Sequence, residues 1–108
     1  MSSPAGAPLS LARCVRCHGR FLPRSGPCPR CGANEVVEDP VAPTGTVRAA
    51  TAIESPAQGW PAPHRLALIE VADSVHVLAI VEGDLPALGA AVTVWRDGAV
   101  YRARAAPA

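Results

Sequence analysis

The chain has 108 residues, enough for one compact domain or for a metal-stapled module followed by a small barrel, and too few for a large enzyme core. Its formal charge is +1, and all ten cationic side chains are arginine, so global electrostatics give no pull toward nucleic acid or a membrane surface. Four cysteines in two close pairs favour a metal site over disulfides in a reducing cytoplasm, the compartment expected for this chain.

Residues 1–11 are small, polar and Pro-containing, without the basic and apolar regions of a secretory signal. They are expected to form a flexible leader. No run approaches the roughly 18 apolar residues of a spanning helix, so no membrane partner is expected.

Residues 12–40 are rich in Cys, Arg and Pro, and are expected to form a zinc ribbon. Cys14-x-x-Cys17 and Cys28-x-x-Cys31 each make a knuckle in which two sulfurs approach one ion while backbone amides point at them. Ten residues separate the pairs, enough for an excursion that returns the second knuckle beside the first. Four thiolates close a tetrahedron and leave no position for water, so Zn2+ held there is structural. Iron in a redox centre is the alternative, because Cys28-Pro29-Arg30-Cys31-Gly32 has the form of a rubredoxin knuckle. Gly32 follows the second knuckle, where a small residue eases the amide-to-sulfur approach, and His18 takes the matching place after the first.

Arg13, Arg16, Arg20, Arg24 and Arg30 crowd this segment, which has no Asp or Glu between Ala12 and Asn34. They offset the negative charge of a metal–thiolate centre, or they form a basic face for a phosphate-bearing ligand or an acidic partner. Arg16, Arg20 and Arg24 are the candidates for phosphate contact.

Residues 41–105 are expected to form a five-stranded OB-fold barrel. Asp39-Pro40 and Ala42-Pro43 mark the joint before it, because proline interrupts a ladder and restricts the residue ahead of it. The predicted strands are Thr44–Ile53, His64–Ala72, Val75–Glu82, Ala91–Arg96 and Ala99–Arg104, with two-residue turns at Asp73-Ser74 and Asp97-Gly98. Between Asp84 and Gly89 there is room for one helical turn at most. Five strands at this size make the OB-fold the favoured architecture, so the fold class is mostly β, a rubredoxin-like zinc ribbon packed with a barrel. The third of these strands is apolar on both faces, with Val75, Val77, Ala79 and Val81 alternating with Leu78 and Ile80. One face fills the barrel. The other needs the cysteine module, a loop or a partner to cover it.

Side chains able to do nucleophilic or acid–base work are sparse, and no Gly-x-Ser-x-Gly, phosphate-binding glycine loop or His-Glu-x-x-His motif is present. The chain is therefore expected not to be an enzyme on its own. An OB-fold beside a zinc ribbon suggests single-stranded nucleic acid, yet the second and third barrel strands contain no aromatic residue on which a base could stack. Nucleic acid is not expected as a partner.

Taken in order, the first knuckle, Phe21-Leu22-Pro23-Arg24 and Cys28-Pro29-Arg30-Cys31-Gly32 resemble the acyl-CoA-associated zinc-ribbon/OB-fold family. The resemblance continues through Gly45-Thr46-Val47, the loop Gly59-Trp60-Pro61-Ala62-Pro63-His64, Leu66-Ala67-Leu68-Ile69-Glu70 and Leu88-Gly89-Ala90-Ala91-Val92, and so covers about Arg13 to Tyr101. It implies a small non-catalytic subunit in a hetero-oligomer with a thiolase-like acyltransferase, or with a hydratase or aldolase acting on acyl-CoA, placed to position or pass the acyl-CoA. On that resemblance Gly59, Trp60, Pro63 and His64 are the candidates for partner or acyl-CoA contact. His64 departs from the tyrosine usual in the family.

Overall fold

The computed structural model describes residues 6–53, 64–72 and 74–106, which form eight β-strands and contain no helix. The first three are β1 (Leu9–Cys14), β2 (Arg20–Phe21) and β3 (Val36–Val41), which make a sheet of order β2-β1-β3. The other five, β4 (Thr44–Ile53), β5 (His64–Ala72), β6 (Val75–Val81), β7 (Ala91–Asp97) and β8 (Val100–Ala105), close a barrel of order β4-β5-β6-β8-β7. In the barrel the β6–β8 pairing is parallel and every other pairing antiparallel, an OB-like arrangement.

Strict alternation builds the barrel core. In β6, Val75, Val77, Ala79 and Val81 are buried while His76 and Leu78 face out, as a period of two requires. Val47, Ile69, Val92 and Val94 fill the interior from three other strands, each worth about 1.5–3 kcal/mol of burial. Register shifts between Val47 and Ala49 and between Glu70 and Ala72 add the coiling that lets so few strands close. Gly45 permits the tightest approach: a Cβ there would strike Ile69 Cγ2 and lie 2.7 Å from the Glu70 carbonyl. The outer side of β5 and β6 stays apolar and open, with Leu68 38% and Leu78 60% exposed.

Three boundaries differ from the sequence expectations. Leu9 and Leu11, placed in the flexible leader, are buried in β1, and Leu9 joins the barrel core with Leu22 and Val41 packed against it. Their burial, that of Leu9 against the barrel core, outweighs the polar character of the residues before them. Pro40, expected to break the chain between modules, lies inside β3 opposite Ser10, because β3 has a partner on one side only and an edge strand tolerates proline. The last hairpin turns at Gly98-Ala99, one residue later than expected, with Asp97 paired to Val100 and Gly98 at φ 63°. The cysteine module does not cover the outer face of β6. Its buried Cys14, Cys28 and Ala33 form a cluster of their own, while Leu9 joins the barrel core.

Candidate functional site: a four-cysteine cluster beside a basic cleft

The first knuckle begins where β1 ends. Cys14, the buried last residue of β1, accepts a hydrogen bond at its carbonyl from the His18 amide at 2.9 Å, and its amide donates to the Gly19 carbonyl at 3.0 Å. The Cys17 amide donates to Cys14 Sγ at 3.4 Å. The second knuckle repeats the pattern: the Gly32 amide donates to the Cys28 carbonyl at 2.9 Å, the Cys28 amide to the Ala33 carbonyl at 2.8 Å, and the Arg30 amide to Cys28 Sγ at 3.4 Å. Both knuckles end in a left-handed residue, His18 at φ 63° and Gly32 at φ 78°.

These two turns bring Cys14, Cys17, Cys28 and Cys31 together with all four sulfurs within 4.8 Å of one another. All four thiols are unbridged. Cys14 lies 3.5 Å from Cys31 and Cys17 lies 3.7 Å from Cys28, sulfur to sulfur. A tetrahedral ion with bonds of about 2.3 Å has sulfur–sulfur edges of about 3.8 Å, so the cluster is close enough to bind one metal ion and its donor set suits zinc. Amide donation from Cys31, the largest influence, lowers the Cys28 thiol to about 6, against the opposing effect of burial. Cys14 is lowered chiefly by the Cys17 amide. At Cys31 the Ala33 amide pulls downward, but Cys14, burial, Cys17 and Cys28 outweigh it and push the thiol up to about 11. Once one thiolate forms, its neighbours hold their protons. A divalent cation removes that conflict.

Next to the cluster, where the cysteine module meets the β5–β6 turn, lies an open cleft of about 720 Å³. Arg13, Arg20, Arg24 and Arg30 line it, with His18 on the module and Ser74 and His76 across from it. Phe21, Leu22 and Val75 supply an apolar floor. Of the three arginines expected to act together, Arg20 and Arg24 meet here and Arg16 does not. Arg13 and Arg30, expected as part of the basic face, line the cleft too, and His76 joins them because the tertiary meeting of the β5–β6 turn with the knuckles places it there. The density of arginine near the cysteines was the one local signal.

Gly59, Trp60 and Pro63 lie outside the described residues. His64 opens β5, its backbone paired with Ile53.

Fold and site together define a mostly β protein: a three-stranded sheet carrying a four-cysteine cluster, joined to an OB-like barrel. No protein-family model matches the chain, and no curated protein does. Solved structures do. One is the "Ltp2-ChsH2(DUF35) aldolase", with a TM-score of 0.76 and 23% identity over 93% of this chain and 86% of that one. Another is a DUF35-family protein of unknown function from Sulfolobus solfataricus, with a TM-score of 0.66 and 18% identity over 92% of this chain and 76% of that one. At these identities the likeness is one of fold. Among the described residues no helix is long and apolar enough to cross a membrane.

Proposed function

We propose that this chain is a non-catalytic, zinc-binding accessory subunit that associates with an acyl-CoA-processing enzyme of the thiolase-like acyltransferase class and helps position or pass the acyl-CoA. The observation that carries the reading is the open apolar face of the barrel, where Leu68 and Leu78 sit opposite each other, in a chain sharing its fold with a structure named for Ltp2 and ChsH2 together. An apolar face of this kind suits a protein partner. The OB strands that elsewhere stack bases carry Leu66, Leu68, Leu78 and Ile80 here, which favours a protein over a nucleic acid. The four cysteines, Cys14, Cys17, Cys28 and Cys31, would hold a structural Zn2+ that staples the module, and the arginines of the cleft suit the phosphates of the coenzyme.

Co-purification of the tagged chain from its native cells tests this. The expected companion is an acyl-CoA enzyme whose turnover rises on adding the chain, while the chain alone neither condenses, hydrates nor hydrolyses an acyl-CoA. Turnover by the isolated chain, abolished by one point substitution in it, would overturn the proposal.

A further inference from the structure

We infer that the four-cysteine cluster is also an oxidative modification site for hydrogen peroxide, in which Cys17 reacts first, two disulfides close across the knuckles, Cys17–Cys28 and Cys14–Cys31, and the metal is released. The release step rests on the zinc reading above. The cross-links do not, and neither step needs an enzyme partner.

Pairing is the first ground. Cys14 and Cys28 are buried, whereas Cys17 and Cys31 are exposed. Each sulfur–sulfur contact joins one of each kind, Cys14 with Cys31 at 3.5 Å and Cys17 with Cys28 at 3.7 Å, and both run between the knuckles. The exposed sulfur of a pair meets the oxidant, and the buried one against it is placed to resolve the product. Closure to a disulfide length of about 2.05 Å moves each pair by about 1.5 Å. The pairs share no member, so full oxidation leaves no odd thiol.

The surroundings of Cys17 are the second ground. A Cβ at Gly19 would stand 3.4 Å from Cys17 Sγ and 3.3 Å from Arg30 Nη1, so sulfur and guanidinium border one small space that glycine leaves open. Arg30 has no ion pair among the described residues, and no Asp or Glu occurs between Ala12 and Asn34. Reactive cysteines are partly exposed sulfurs in electropositive surroundings of this kind. When a peroxide O–O bond breaks at Cys17, negative charge gathers on the departing oxygen. The Arg30 donors are there to meet it.

In the first step the Cys17 sulfur bonds one peroxide oxygen as the O–O bond breaks, and the other oxygen departs as hydroxide and takes a proton to become water. The Cys28 sulfur then displaces the hydroxyl group from Cys17, the S–S bond forms, and that oxygen also leaves as water once protonated. A second peroxide oxidises Cys31 and Cys14 in the same way. Each disulfide yields two electrons, which reduce one peroxide to two waters. A thiolate is the metal ligand and a disulfide is not, so the ion departs while two covalent links hold the knuckles together. His18, Gly19, Pro29 and Arg30, which directly follow Cys17 and Cys28 in the chain, line the neighbouring cleft, so the change is felt there.

The test is a titration of the full zinc-loaded chain with hydrogen peroxide. Released zinc is followed with a chromogenic chelator, sulfenic acid is trapped with dimedone, and disulfides are mapped by peptide mass spectrometry after the remaining thiols are alkylated. Dimedone is expected on Cys17, the Cys17–Cys28 link before the Cys14–Cys31 link, and zinc release in step with thiol loss. Dithiothreitol with added zinc should restore the starting chain. Arg30→Gln keeps all four ligands, so it should retain zinc and melting temperature while slowing the first oxidation by about threefold or more. Arg104→Gln, on the outer barrel face over Trp95, should leave the rate as it was. Links within a knuckle, Cys14–Cys17 or Cys28–Cys31, would overturn the inference, as would sulfinic or sulfonic acids without disulfides, first trapping at another cysteine, or an Arg30→Gln chain oxidised as fast as its parent. A chain that purifies without zinc counts against the zinc reading alone, because the map of cross-links still decides this one.

Discussion

Leu68 of β5 and Leu78 of β6 face each other across an antiparallel pair on the outside of the barrel, and both remain open to solvent. Cross-strand partners of this kind stabilise a sheet by about 0.2–1 kcal/mol, far less than a core pair, so their value lies in what they can contact. Leu78→Glu should therefore change folding stability by about 1 kcal/mol or less, while costing about 2 kcal/mol or more in affinity for the enzyme partner proposed above. Thermal melting and a binding titration on this variant separate the two effects. A collapse in melting temperature would make Leu78 a core residue and remove it from the interface.

The cysteine cluster predicts a metal-dependent fold. Elemental analysis should find close to one zinc per chain, and Cys28→Ser, which removes a buried ligand, should give unfolded or insoluble protein. Structural zinc contributes on the order of 10 kcal/mol, comparable with the whole stability of a domain this size. A folded, metal-free Cys28→Ser chain would refute a structural role. A coloured protein holding more iron than zinc when both were supplied would point to a redox centre.

Gly45 predicts a steric limit on barrel closure. A methyl group there meets Ile69 and the Glu70 carbonyl, and backbone cannot swing aside as a long side chain can. Gly45→Ala should cost about 1–3 kcal/mol in chemical denaturation, by overpacking. Gly19→Ala, whose methyl meets the flexible Arg30 side chain, should cost less.

Glu70 predicts a pH dependence. Arg48 Nε and Nη2 lie 2.8 and 2.7 Å from Glu70 Oε1, and this hydrogen bonding, the largest influence, holds the carboxyl below its ordinary 4.5. A carboxyl whose folded pKa is depressed binds fewer protons when folded than when unfolded. The stability it contributes is thus fully present above 4.5 and is lost as pH falls through the lowered value. Denaturation of the parent chain and of Glu70→Gln should differ near neutrality and converge in acid. Curves that stay parallel down to pH 2 would show that the ion pair contributes nothing.

Legibility in the sequence followed the range of the interactions. The starts of β4 to β7 were readable because each is a run of alternating side chains ended by turn residues, and the knuckles because their geometry is set within four residues. β1 and β3 were not, since their pairing joins Leu9 with Val41 and Cys14 with Val36 across the whole cysteine segment, and Pro40 disguised a strand as a break. The cleft lay further out of reach. Its two walls, His18 and Ser74, come from turns that share no local pattern.

The pairing scheme also governs how this chain can meet another. The barrel is closed, so each of β4 to β8 has a neighbour on both sides for at least part of its length, and the small sheet ends on one side in a two-residue strand and on the other in a strand carrying Pro40. A foreign strand finds little to dock against, because fibre growth and strand exchange both need a long row of unpaired amides and carbonyls. Contacts through side-chain faces are left. The chain can thus keep Leu68 and Leu78 exposed at cellular concentrations without the polymerisation that an open-edged sheet with the same surface would invite.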